Sequence, residues 1–233
     1  MKIKKDFIYD PSLVLYLPLY QLDGSSFMDK SAYGHLCQNT GATWGIQGRT
    51  FDGIDDRINK DNLVDVSTLS GITIMGWINW TDGSATGAVI IGTRNSGYVM
   101  VRPETNNLQA IVATPDEAEY CLNYPSNSLR GTGWNHFAAS YHAGSPTATI
   151  TGIAFLINGV DQGVFTTSGT PTFAELTGAA ADNFNLGVSF SSTVNDNIGA
   201  YNAIRLGEVL VYTRALTVLE MRRHYEMTKR RYR

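Results

Sequence analysis

Two residues in 233 are cysteine, and no run approaches the roughly 18 consecutive apolar residues a membrane-spanning helix needs. Cys37 and Cys121 are too few for a disulfide-built scaffold. Free thiols are the expected state, and a single Cys37–Cys121 bridge is the alternative. The basic start, Met1-Lys-Ile-Lys-Lys, is followed by Asp6 and Asp10-Pro11, which interrupt what would have to be an apolar signal core. No membrane span and no export by that route are therefore expected. Charge is also scarce, at 17%, while apolar residues reach 43%, so the chain has a core to bury and is not a disordered one. Nor is there a repeat of fixed period, a βαβ alternation, a zinc-type Cys/His spacing or a recognisable Ser or Cys nucleophile motif.

What charge there is lies unevenly. Lys2, Lys4 and Lys5 stand at one end, and Arg222, Arg223, Lys229, Arg230, Arg231 and Arg233 at the other. Residues 6–220 then keep 9 of the 18 basic residues but 20 of the 21 acidic ones. An acidic body with basic ends argues against nucleic acid as a partner for its faces. The ends themselves read either as solvated tails or as arms for an acidic partner surface.

The interior of the chain reads as strands and turns. Leu13-Val-Leu-Tyr-Leu is a β-rich run stopped by Pro18, which cannot donate to a ladder and so suits a strand end or edge. Ile72 to Trp80 alternates, but both of its faces are partly apolar, the pattern of a central strand. Further short strands are expected at 88–92, 98–102, 108–113 and 136–141. Asn158-Gly159, between two β-rich runs, favours the positive φ angles of a type I′ hairpin. Only the C-terminus reads as helix. Thr217-Val-Leu-Glu220 has the capping-box form, followed by Val218, Met221 and Tyr225 near one face and by late basic residues. The expected organisation is a basic arm over 1–12, one sandwich over 13–216, and a helix (about 218–229) with a basic tail over 217–233.

Six stretches in order resemble a known family. Asp29-Lys-Ser-Ala-Tyr-Gly34-His-Leu is similar to the D-x-S-G-x-G-N-x-G turn of laminin-G-like domains, and Phe51-Asp-Gly-Ile-Asp-Asp-Arg-Ile58 to their F-D-G-x-D-D-Y-V. Gly71-Ile-Thr-Ile-Met-Gly-Trp77-Ile resembles F-T-I-S-A-W-V, Trp134-Asn-His-Phe-Ala resembles W-H-H-V-A, and Phe155-Leu-Ile-Asn-Gly resembles L-Y-V-N-G. Val209-Leu-Val-Tyr-Thr-Arg-Ala-Leu-Thr217 is similar to the closing V-R-I-Y-N-R-A-L-S. The resemblance, over about residues 13–225, is to the laminin-G-like, concanavalin A-like lectin/glucanase jelly rolls. It implies an all-β fold, a two-sheet antiparallel jelly-roll β-sandwich with one short C-terminal helix, that binds glycans or proteins and often carries calcium at one rim. Two departures weaken that calcium site: Ala32 replaces a usual Gly, and Ala203-Ile-Arg-Leu-Gly-Glu208 replaces G-x-I-D-D.

The candidate sites follow from these stretches. Calcium takes six to eight oxygen ligands, and the carboxylates offered for it are Asp29, Asp56 and Glu208, with Asp52 and Asp55 crowding the same strand entry. Ordinary turn chemistry explains the same aspartates equally well. Aromatics near predicted loop edges, Trp80, Tyr98, Tyr120, Tyr124 and Tyr201, are candidates for a glycan platform or a protein interface. For catalysis, the glucanases of this fold carry E-x-D-x-x-E on one strand; the nearest stretch here, Asp116-Glu-Ala-Glu-Tyr120, lacks that spacing. The expectation is a non-enzymatic binding protein. The charged ends and the missing export signal favour a virion component: a capsid decoration, tail or fibre-associated subunit of phage type, oligomeric and in contact with other virion proteins. The alternative is a soluble or exported, extracellular carbohydrate-binding lectin module.

Overall fold

The structure, a computed structural model, describes residues 6–21, 24–80, 89–93, 98–104, 106–114, 120–123, 128–163, 166–176, 182–190, 198–201 and 203–233. Among these, two antiparallel sheets face each other. The first runs β14 (Val160–Asp161), β13 (Ile150–Ile157), β12 (Trp134–Ala143), β7 (Gly71–Asn79), β19 (Ala203–Tyr212), β5 (Gly48–Asp52) and β4 (Thr43–Gly45), with β1 (Leu13–Pro18) also paired to β19. The second runs β15 (Thr166–Ser168), β11 (Tyr120–Asn123), β10 (Asn107–Ala113), β9 (Tyr98–Glu104), β8 (Ile91–Thr93), β16 (Asp182–Leu186), β6 (Arg57–Val64), β3 (Leu36–Thr40) and β2 (Ser26–Met28). A short hairpin, β17 (Val188–Phe190) with β18 (Ile198–Tyr201), stands apart. This is the jelly-roll sandwich expected from the sequence.

Strand alternation builds the core between the sheets. Ile72, Ile74 and Ile78 of β7 join Phe137 and Tyr141 of β12, Val99 and Val101 of β9, and Phe184 of β16 in one buried cluster. The other face of β7 is buried as well. Met75 packs with Leu13, Tyr16, Leu210 and Met221, and Trp77 with Tyr225 and Tyr232. The two-faced pattern of this strand thus reports its central position between β12 and β19.

Local signals hold where they were strongest. Asn158 and Gly159 take φ of 51° and 76°, as a type I′ turn requires, and join Ile157 to Val160. β1 ends at Pro18 and pairs with β19. Strand β19 carries the one irregularity that matters most. Its register with β7 shifts between Leu206 and Val209, so both of those residues reach the inter-sheet core although they are three apart. The extra residue turns Glu208 to the outer face of the first sheet.

Candidate functional site

The outer face of the first sheet is roofed by the C-terminal segment. Helix α1 (Val218–Thr228) starts at the expected box: the Thr217 hydroxyl accepts from the Glu220 N–H, and the Glu220 carboxylate accepts from the Thr217 N–H at 2.8 Å. Arg214 closes the corner, donating to both Glu220 and Asp10 at 2.7 Å. That guanidinium holds the Glu220 carboxyl down at about 2. Helix α1 continues as a 3-10 turn, Lys229–Arg231, and the chain then lies back on the sheet. Trp77 is the anchor: Tyr232 stacks on it at 4.5 Å and Tyr225 at 5.8 Å, and its indole N–H donates to the Thr228 hydroxyl at 2.9 Å. Two glycines make room. A Cβ on Gly207 would collide with the ring of Tyr232, and one on Gly159 with the ring of Tyr225. The tail read from sequence as solvated or partner-docking is packed on its own sheet, with the Arg222 guanidinium on the Gly159 carbonyl and Arg233 on the Tyr225 hydroxyl. Of the N-terminal arm, residues 1–5 lie outside the described part.

Beneath this roof runs a line of buried polar side chains. His136 Nε2 lies 3.1 Å from His224 Nδ1, His224 Nε2 lies 3.5 Å from Glu208 Oε1, and the Tyr16 hydroxyl donates to Glu208 Oε2 at 3.5 Å. Burial, reinforced by His224, holds His136 well below the ordinary imidazole range, so this ring is neutral at neutral pH. Burial, and then the Glu208 charge, push the phenols of Tyr16 and Tyr232 upward, which keeps both protonated.

Glu208 is also the floor of an open cavity of about 560 Å³. Its walls are Tyr20, Ile46 and Gln47 on one side and Met227, Thr228, Arg230 and Arg231 on the other. The hairpin tip between β4 and β5 is tied to the roof by hydrogen bonds: Gln47 Nε2 donates to the Arg231 carbonyl at 3.0 Å, and its Oε1 accepts from Trp134 Nε1 at 3.1 Å. Trp44 stands on the neighbouring strand, half exposed, with its indole N–H donating to the Tyr20 carbonyl at 3.1 Å. A second cleft on the same face, about 590 Å³, lies between β12, β13 and the start of α1, and among the described residues no Trp or Tyr lines it.

The residues singled out from the sequence fare unequally. Asp29, Asp56 and Glu208 are not brought together. Among the described residues, only Asp52, Asp55 and Asp56 place three candidate ligand atoms within 4.8 Å of one another. Asp29 is buried and spends its oxygens on the backbone N–H groups of Tyr16, Ser31 and His35. Asp56 accepts from the Asp52 N–H at 2.8 Å while Asp52 accepts from Ile54, which is turn chemistry. Burial raises the Asp56 carboxyl. Trp80, expected at a loop edge, is instead in the inter-sheet core, because β7 carries its alternation one residue past the strand end. Tyr120 packs on Val89, Met100, Ile111 and Ala113 on the outer face of the second sheet. The backbones of Tyr98 and Tyr201 lie in β9 and β18, but their side chains, like Tyr124, Glu117, Glu119 and the Cys121 thiol, lie outside the described residues. Sequence reasoning passed over Trp44, Ile46, Gln47 and Tyr20. A Gly-Ile-Gln-Gly turn with an exposed apolar residue at its tip was the available signal.

Residues 52–222 match the family profile described as concanavalin A-like lectin/glucanases superfamily. No curated protein matches the chain. Among solved structures, the chain is similar to domain 4 of AbnA, an extracellular arabinanase from Geobacillus stearothermophilus, in complex with arabinotriose. The TM-score is 0.60 at 15% identity, covering 91% of this chain and 97% of that one. It is also similar to the receptor-binding domain of botulinum neurotoxin C/D mosaic serotype (TM-score 0.60, 11% identity, 93% and 51% covered). A third similarity is to Trypanosoma rangeli sialidase in complex with sialic acid (TM-score 0.59, 12% identity, 94% and 33% covered). The chain thus spans about a third of the sialidase.

Proposed function

The chain belongs to the concanavalin A-like lectin/glucanases superfamily, and from that premise we propose that it is a non-catalytic carbohydrate-binding module whose site is the cavity above Glu208. The observation that carries this reading is the lining of the cavity. Amide, hydroxyl and guanidinium groups line it, and among the described residues Glu208 is its only carboxylate. Hydrolysis of a glycosidic bond by the usual route needs two carboxyl groups, roughly 5–10 Å apart. A single buried acid cannot supply both an acid and a nucleophile or base. The volume falls within the ~300–1,000 Å³ of small-molecule pockets. Further support is the near-complete overlap with an arabinanase domain whose structure holds arabinotriose.

A place in a virion, expected from the charged ends, now has less behind it. Arg222, Lys229, Arg231 and Arg233 make contacts within the chain, so most of the C-terminal basic set is already engaged. The lectin reading takes precedence. A glycan array, followed by tryptophan-fluorescence titration of the full chain, tests it. Micromolar to millimolar binding, weakened by Gln47→Ala and by Tyr20→Ala without release of reducing ends, is the expected result. Turnover of any oligosaccharide, or an array with no signal, would overturn it.

A further inference from the structure

The cavity has a polarity that narrows its ligand. Two of its wall residues, Arg230 and Arg231, are exposed and form no ion pair among the described residues, unlike Arg214 with its two carboxylates. Arg231 is held in place without an acid. Its guanidinium carbon sits 3.7 Å above the Tyr20 ring, its carbonyl accepts from Gln47, and the next residue is locked under Trp77. Stacking uses the face of the guanidinium and leaves its in-plane N–H donors pointing away from the ring, the geometry that accepts a carboxylate two-pronged. At the opposite end lies the buried carboxyl of Glu208, within 3.5 Å of the Tyr16 hydroxyl. Cations at the mouth and a carboxylate at the floor orient a ligand with a carboxylate outward and hydroxyl groups inward.

We propose that the site takes acidic saccharides, sugars bearing a ring-attached carboxylate, with Arg231 and Arg230 binding the carboxylate and Glu208 the hydroxyls. This rests on the carbohydrate-binding reading above. The probes are galacturonate oligomers and sialyllactose as the two carboxylate sources, with lactose as a neutral control, titrated calorimetrically into the full chain. At least one acidic probe should bind about tenfold or more tighter than lactose, the scale of a charge-assisted, two-pronged contact. That advantage should shrink with added salt. Arg231→Gln, which keeps a planar donor over Tyr20, and Arg230→Ala should each weaken the acidic probe several-fold more than they weaken lactose, so that most of the preference is lost while the melting temperature stays unchanged. Equal affinity for acidic and neutral sugars, or a preference untouched by both substitutions, overturns the acidic inference and leaves the carbohydrate reading standing. Failure of every saccharide to bind overturns both.

Discussion

Replacing Tyr232 by alanine would remove the residue that ties the end of the chain to the sandwich. Its ring is buried, stacks at 4.5 Å and 21° on Trp77, and lies 4.9 Å from Trp134. Truncating a core aromatic costs roughly 3–5 kcal/mol when the surroundings cannot close the gap. Here the gap is bordered by the chain end, which can relax into it, so about 2–3 kcal/mol is expected. For a domain of this size, ~2–4 °C of melting temperature accompanies each kcal/mol, giving a fall of about 5–10 °C. Calorimetry reads the fall directly, and tryptophan emission reads the loss of the stack around Trp77 and Trp134. Tyr232→Phe is the control: the hydroxyl is buried with no hydrogen-bond acceptor, so removing it should be neutral or slightly stabilising. A Tyr232→Ala protein that melts within about 1 °C of the parent would refute the claim that the tail is an integral part of the fold.

The same roof yields three further expectations, and the inter-sheet core a fourth. Gly207→Ala places a methyl group where the Tyr232 ring lies and should reproduce much of the Tyr232→Ala loss in a thermal melt. His136 is held neutral by burial, so the unfolded chain binds a proton more readily. Stability should be full above about pH 6.5 and fall below it, by up to about 1.4 kcal/mol per pH unit, in urea titrations at stepped pH; His136→Asn should flatten that slope. Glu220→Gln removes an ion pair and half of a capping box. Because both partners are about 40% exposed, the pair is screened, and a loss of only about 1 kcal/mol is expected in denaturant unfolding. Burial pushes the Cys37 thiol up to about 12, so in a Cys121→Ser background it should resist a thiol reagent until the protein is unfolded.

Much of the fold was legible in local chemistry. Thr217 to Glu220, Asn158-Gly159 and the doubly apolar strand from Ile72 each encode their outcome within a few residues. The site was less legible because it depends on contacts distant in sequence. Nothing near Glu208 says that a one-residue bulge turns it outward, nor that Gly207 leaves room for Tyr232. Periodicity distinguishes the two faces of a strand but does not say which face receives a roof. Hence the basic tail read either as solvated or as an arm for a partner, and Glu208 read as a rim ligand. Trp80 shows the converse error: next to a turn in sequence, it is carried into the core by the alternation of the strand before it.

The central claim is that the cavity over Glu208 is where this module holds a sugar. Backbone amide chemical-shift mapping on the full chain, with a binding oligosaccharide titrated in, tests it most directly. The account predicts that the largest shifts fall on Ile46, Gln47 and Thr228 to Arg231, with the oligosaccharide recovered intact. Shifts centred on the second cleft, around His142, Thr151 and Asp161, would contradict it, as would cleavage of the sugar.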